Sequence, residues 1–217
     1  MPRKYEHFLE SDSFKQALGG DKNLQLGNLA VALTTNVRTE DPQTAHLLMT
    51  KLADAGLPEA HYKLSDLYLR GDSALASDPG KAVHHLIKAA ELGHVASMAQ
   101  LGSVYAGREQ GYSGSTVGYP LQADRNEARK WYLKAADAGN TWSSEACADM
   151  LLAGRRAREC YREELQLIER LYQTAGNCFK LGSMYCVDKD SGDCTKEDVD
   201  TARRWYQRGR ASQNSPC

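Results

Sequence analysis

No apolar run in this chain of 217 residues approaches the 18 or more needed to cross a bilayer, so no membrane insertion through a helix is expected. Neither sign of charge is in surplus. Lys and Arg number 27 against 28 Asp and Glu, giving a net charge of −1 and a pI near 6.6. That balance leaves no electrostatic footprint for nucleic acid or an anionic lipid surface. The first residues, "MPRKYEHFLESDS", contain no apolar h-region, so no signal peptide is expected within this chain. A mature form would have lost one. Catalytic signatures are missing too. "GYSGS" has glycine and serine in the wrong order for a nucleophile elbow, and no SxxK, HExxH, Walker loop or GxGxxG occurs. No stretch alternates apolar and polar residues as a half-buried strand would. The first 146 residues hold no cysteine, although the chain has six.

What is present is a repeat. "ARKWYLKAADAG" at 128–139 has counterparts in "AHLLMTKLADAG" (45–56), "AVHHLIKAAELG" (82–93), "LQLIERLYQTAG" (165–176) and "ARRWYQRGRASQ" (202–213). Successive starts differ by 37, 46, 37 and 37 residues, and a fainter copy begins 37 residues earlier at Phe8. A second motif runs in phase: "LSDLY" from Leu64, "LGSVY" from Leu101, "LGSMY" from Leu181 and a worn "LGNLA" from Leu26, with "CADML" from Cys147 in the third repeat. Asp41, Asp78, Asp124 and Asp198 each lie four residues before the first motif, and Tyr161 breaks that pattern.

Each repeat reads as a helical hairpin. In the first motif, alanines and large apolars fall at i, i+3, i+4 and i+7, one face of a helix. The acidic residue stands where an N-cap or first-turn charge opposes the helix dipole. The closing glycine (Gly56, Gly93, Gly139, Gly176) suits a left-handed C′ position. The second motif then gives a second amphipathic helix, so the expected fold is all-α. Trp131–Tyr132 and Trp205–Tyr206 recur at the phase of Leu48–Met49 and His85–Leu86, which assigns these aromatics to packing and not to a ligand box.

"ARKWYLKAADAGN" and "AVHHLIKAAELGHVASMAQLGSVYAG" resemble the Sel1-like repeat, a relative of the tetratricopeptide repeat, over roughly residues 41 to 213. The resemblance implies a right-handed α-solenoid of stacked antiparallel hairpins with a concave face. It gives one domain over 1–217: a degenerate unit at 1–40, repeats at 41–81, 82–127, 128–164 and 165–200, and a terminal helix at 201–217. Two departures stand out. The third repeat lacks LG-Y at 147–151, and the turn of the fourth is contracted, Gly176 to Leu181 being 5 where Gly56 to Leu64 is 8.

One boundary is longer by nine residues, since Tyr105 to Asp124 spans 19 where Tyr68 to Asp78 spans 10. The added stretch, "GREQGYSGSTVGYPLQAD", is too rich in glycine and serine for a helix. Insertions in solenoids project from one edge and often reach a partner. Its Arg108, Glu109, Tyr112 and Tyr119 are therefore candidate partner contacts, with tyrosine favoured as an interface anchor. A tolerated surface loop is the competing reading. Arg129 and Lys130 are expected on the outer side of their helix, either lining the concave face or simply solvated. His84 and His85 adjoin, so one packs and the other is solvated; His84 joins the candidate contacts. No cofactor and no metal site is expected, because no CxxC or CxH spacing occurs.

The cysteines, at 147, 160, 178, 186, 194 and 217, crowd the C-terminal third. Cys178 and Cys186 lie about 12 Å apart along one helix, too far to pair with each other. Antiparallel geometry admits a complete set, Cys147–Cys160, Cys178–Cys217 and Cys186–Cys194, one of 15 arrangements. That set would mark an oxidising compartment, periplasmic or secreted, with bridges stapling the last repeats. Secreted, cysteine-rich bacterial Sel1-like proteins are a precedent by resemblance. Six reduced thiols in a cytoplasmic protein is the alternative.

The resemblance implies a non-enzymatic module that holds another protein on its concave face and on the 106–123 loop. Some bacterial members of the family act as immunity partners of secreted toxic effectors, and an immunity or inhibitor role is the expectation carried forward. A general adaptor or scaffold is the alternative. A third reading, again by resemblance, is binding or hydrolysis of β-lactams, against which the missing serine–lysine pair counts.

Overall fold

The computed structural model describes residues 42–71, 76–107, 119–153, 157–186 and 195–211. Among them there is no strand. The helices are α1 (Pro42–Asp54), α2 (Pro58–Arg70), α3 (Pro79–Glu91), α4 (Val95–Tyr105), α5 (Arg125–Asp137), α6 (Thr141–Leu152), α7 (Arg162–Thr174), α8 (Cys178–Tyr185) and α9 (Lys196–Ala211), with one 3₁₀ turn at Ala157–Glu159. The fold class is the all-α hairpin array of an α-solenoid. It divides into two compact units, Met1–Ala123 and Asp124–Cys217.

Local signals place the helix ends. Gly56, Gly93, Gly139 and Gly176 all have positive φ (84°, 94°, 87° and 71°) and close the first helix of each hairpin, a conformation an L side chain resists. The Asp78 carboxylate caps α3 by accepting from the Lys81 amide at 3.0 Å. Asp124 caps α5 by accepting from the amides of Asn126 (2.8 Å) and Glu127 (3.2 Å). Asp198 acts differently, because α9 starts earlier than its repeat phase. Its carboxylate accepts from the Thr195 amide at 3.0 Å while Thr195 Oγ1 accepts from the Asp198 amide at 3.1 Å, a reciprocal capping box. Second helices start on His94, Asn140 and Asn177, each accepting from an amide three residues on.

Burial follows the helical period. In the first unit Met49, Leu52, Ala53, Leu57, Ala60, Leu64, Tyr68, Leu69 and Ala82 form one cluster. Each large apolar side chain removed from water contributes about 1.5–3 kcal/mol, which is why α1 to α3 hold together without a covalent link. In the second unit Trp131 is 6% and Tyr132 1% exposed, so this pair is core, whereas Trp205 and Tyr206 are only half-buried.

The contraction in the fourth repeat lies in the helix and not in the turn. α8 begins two residues after Gly176, as α2 begins two after Gly56, but it has 8 residues against 13. Three of the five missing residues precede Leu181, just under one helical turn, so the buried face keeps its phase. Gly182 then sits so close to α9 that a Cβ there would lie 2.6 Å from Tyr206 Cε1.

The cysteines require a correction. Cys147 and Cys160 carry thiols and share no bridge. Cys147 is wholly buried in α6, and in the 3₁₀ turn that precedes Cys160 it is Ala157, 2% exposed, that is buried, Cys160 being half-buried. Burial pushes the Cys147 thiol up to about 11, the behaviour of an inert small hydrophobe. Cys178 and Cys186 are disulfide-bonded; Cys194 and Cys217, the partners expected for them, lie outside the described residues.

Candidate protein-binding surface

Each first-type helix turns one face into its hairpin and one face outward. Arg129 and Lys130 on α5 are exposed, as is His84 on α3. His85 is half-buried, so the adjoining histidines divide as expected. Lys130 Nζ lies 3.0 Å from Glu127 Oε1, an ordinary surface pair one turn apart that contributes little. Arg108, Glu109 and Tyr112 lie outside the described residues.

Tyr119 faces inward. Its ring packs against the core cluster of the first unit. Its hydroxyl accepts from Gln100 Nε2 at 2.9 Å and lies 3.3 Å from Ser65 Oγ. Burial pushes this hydroxyl up to about 12. The end of the insertion is thereby anchored in the unit that precedes it, and the Tyr119 side chain is committed to the interior.

A regularity on the outward faces was missed in the sequence. Lys51, Lys88, Lys134 and Arg208 each stand six residues after the first position of their motif, and all four are exposed. In α7 that register holds Leu171, which is buried. Two of these cations lie over tryptophans three residues earlier in the same helix. Lys134 Nζ is 4.4 Å from the Trp131 ring centroid, and the Arg208 guanidinium is 5.1 Å from that of Trp205. A cation over an indole face gains about 0.5–1 kcal/mol at an exposed site, and its rotamer freedom falls. The signal was available by aligning the motifs at their spacing and reading the outward positions instead of the apolar ones. In the second unit Trp142, Phe179 and Tyr161 are 41%, 71% and 84% exposed, and exposed aromatics of this kind anchor interfaces.

Among the described residues no three His, Cys, Asp or Glu side chains converge as a metal site would require, and no helix is long and apolar enough to cross a membrane. The family model of the Sel1 repeat matches residues 58–94, 95–140 and 178–213, more than half of the chain. The chain belongs to the Sel1 repeat family. The model's Sel1 unit runs from a second-type helix through the following first-type helix, and it leaves out 141–177, where "CADML" replaces the LG-Y motif.

Among curated proteins, the chain is 30% identical over 129 residues to an uncharacterised protein of Neisseria meningitidis serogroup B. The match covers 59% of this chain and 24% of that protein, so it spans about a quarter of its relative. Two solved structures share the fold. A Sel1 repeat protein from Oxalobacter formigenes superposes with a TM-score of 0.53 at 20% identity, covering 88% of this chain and 73% of its own. The protein c5321, a protective antigen of uropathogenic Escherichia coli with an SLR fold, gives 0.52 at 18% identity, covering 87% and 45%. Sel1 repeat proteins are modules that bind other proteins.

Proposed function

We propose that this Sel1 repeat protein is a non-enzymatic binding module whose partner is a protein presenting acidic side chains. The observation that carries the reading is the cation held at one register on the outward faces of α1, α3, α5 and α9, seated over tryptophan in α5 and α9. Lys51 and Lys88 repeat one charge at one register within the first unit, and Lys134 and Arg208 do so within the second. Stacking on Trp131 and Trp205 reduces the ordering cost of using them.

Within that class we favour an immunity or inhibitor role, in which the partner is a secreted effector held and neutralised in an oxidising compartment, periplasmic or extracellular. The oxidised state of Cys178 and Cys186 supports the compartment. The thiols kept by Cys147 and Cys160 are the feature that favours the competing reading of a cytoplasmic scaffold.

The test has two arms. Capture with the purified chain is compared with capture by Lys134→Glu/Arg208→Glu, which reverses both stacked cations. The expected result is a partner retained by the wild type, lost by the variant and released as salt rises. A partner held equally by both removes the basic register from the interface. Counting thiols in the denatured, unreduced chain tests the compartment. Two thiols fit bridges at Cys178–Cys217 and Cys186–Cys194, and six exclude the oxidising reading.

A further inference from the structure

Four of the chain's histidines meet in the first unit although they come from three helices. His46 Nε2 of α1 lies 3.0 Å from the Tyr68 hydroxyl of α2. The Tyr68 ring stacks on His85 of α3 with 5.5 Å between centroids and 6° between planes. His85 Nδ1 lies 2.9 Å from Nδ1 of His61, back on α2. His84 closes the outer side with its ring edge-on to His85 at 5.6 Å. The binding reading above uses none of these four side chains, although exposed His84 was a candidate contact.

The Nδ1–Nδ1 contact fixes a proton count. Two neutral imidazoles bond in this way only when one Nδ1 carries the hydrogen and the other presents its lone pair. If both rings are protonated, two N–H groups and two positive charges face each other across 2.9 Å. The surroundings offer little relief. α1 contributes His46 and the carboxylate of Asp54, α2 contributes Tyr68, and α3 contributes His84 and Lys88. α4, packed on the far side of α3, carries no charged residue. Lys88 is itself ion-paired with Glu91 at 3.1 Å, which leaves Asp54 as the carboxylate set against the histidine cluster.

We propose that His61 and His85 form an acid-released latch between α2 and α3, closed while the pair shares one hydrogen and opened when both rings are protonated. Burial, and then the neighbouring histidines, hold His85 down at about 4, well below the ordinary imidazole value of 6.5, and burial lowers His61 as well. The unfolded chain takes up these protons near 6.5 and the folded chain only further down. Stability of the first unit is therefore full above 6.5 and falls as pH drops toward 4. α2 and the latch half of α3 lie within one Sel1 unit, 58–94, so the acid response opens a single repeat.

The experiment uses the full chain. Imidazole resonances, assigned with single His→Gln variants, are followed from about pH 8 to pH 4, and urea midpoints are measured at about pH 7.5 and 5. The expected result is a His85 midpoint at least about one pH unit below the ordinary imidazole value of 6.5. The acid-induced fall in urea midpoint should also shrink in His61→Gln/His85→Gln and persist in His84→Gln. Because the midpoint difference between two pH values is read within each variant, a general loss of stability in the double variant does not mask the result. Titration of His85 near the ordinary imidazole value, or an undiminished acid response in the double variant, overturns the latch.

Discussion

The Tyr119 hydroxyl accepts a hydrogen bond from Gln100 Nε2 at 2.9 Å, which fastens the end of the insertion to the middle of α4. The same hydroxyl is placed to donate to Ser65 Oγ on α2, 3.3 Å away. Three segments of the first unit therefore share one phenol. Both partners are buried, Gln100 at 3% and Ser65 at 0% exposure. Replacing Tyr119 with Phe leaves their polar groups without it, and the expected loss is about 1–3 kcal/mol. Urea denaturation monitored in the first unit checks this. A variant as stable as the wild type means that the phenol does not tie these segments together.

Gly182 of α8 lies directly against the Tyr206 ring of α9. A Cβ at 182 would sit 2.6–2.9 Å from three atoms of the Tyr206 ring, so Gly182→Ala should destabilise the second unit by about 1–3 kcal/mol through overpacking. Shortening the opposing side chain in Gly182→Ala/Tyr206→Leu should recover part of that loss. Thermal melting of the two variants side by side measures it, and equal melting of Gly182→Ala and wild type contradicts the contact.

Ala153 ends α6 in the left-handed region, at φ 49° and ψ 39°. An alanine held there is disfavoured by about 1–2 kcal/mol relative to its preferred backbone. Ala153→Gly should therefore raise stability by about 0.5–1 kcal/mol, the strain relieved outweighing the added freedom of the unfolded chain. A fall in melting temperature refutes it.

A second pH effect sets in at the lower end of the histidine latch's window. Glu59 at the start of α2 sits 2.8 Å from His94 Nε2 at the start of α4. The hydrogen bond to His94 holds its carboxyl below the ordinary 4.5. A depressed carboxyl contributes stability that is complete above 4.5 and disappears as pH falls through the folded value. The group is partly exposed, so the effect is about 1 kcal/mol or less. Glu59→Gln should flatten the stability profile below 4.5 and leave the 6.5-to-4 descent of the histidine pair in place; chemical denaturation at steps of pH separates the two.

Much of the fold could be read directly. The 37-residue spacing, the alanine-rich face and the closing glycines act within one or two turns of chain, so hairpins and turn positions followed from them. The caps at Asp78 and Asp124 followed for the same reason. Asp198 takes the other place the sequence allows, a first-turn acid, because Thr195, three residues earlier, accepts from the Asp198 amide while the Asp198 carboxylate accepts from the Thr195 amide. The candidate surface was partly legible. Arg129, Lys130 and His84 point outward as their register implies, whereas Tyr119 was read as an outward anchor on composition and turned inward to meet Gln100 and Ser65. Cys147 and Cys160 looked placed to pair because helix geometry was extended through a segment where a 3₁₀ turn intervenes.

The sequence by itself determined the repeating hairpin, since helical periodicity, capping and the left-handed glycine are decided by neighbours along the chain. Tertiary structure alone decided which distant side chains meet. His61 and His85 are 24 residues apart and Ser65 and Tyr119 are 54 apart. No local pattern encodes either pair, because contact depends on the crossing of packed helices and on the inward return of a loop.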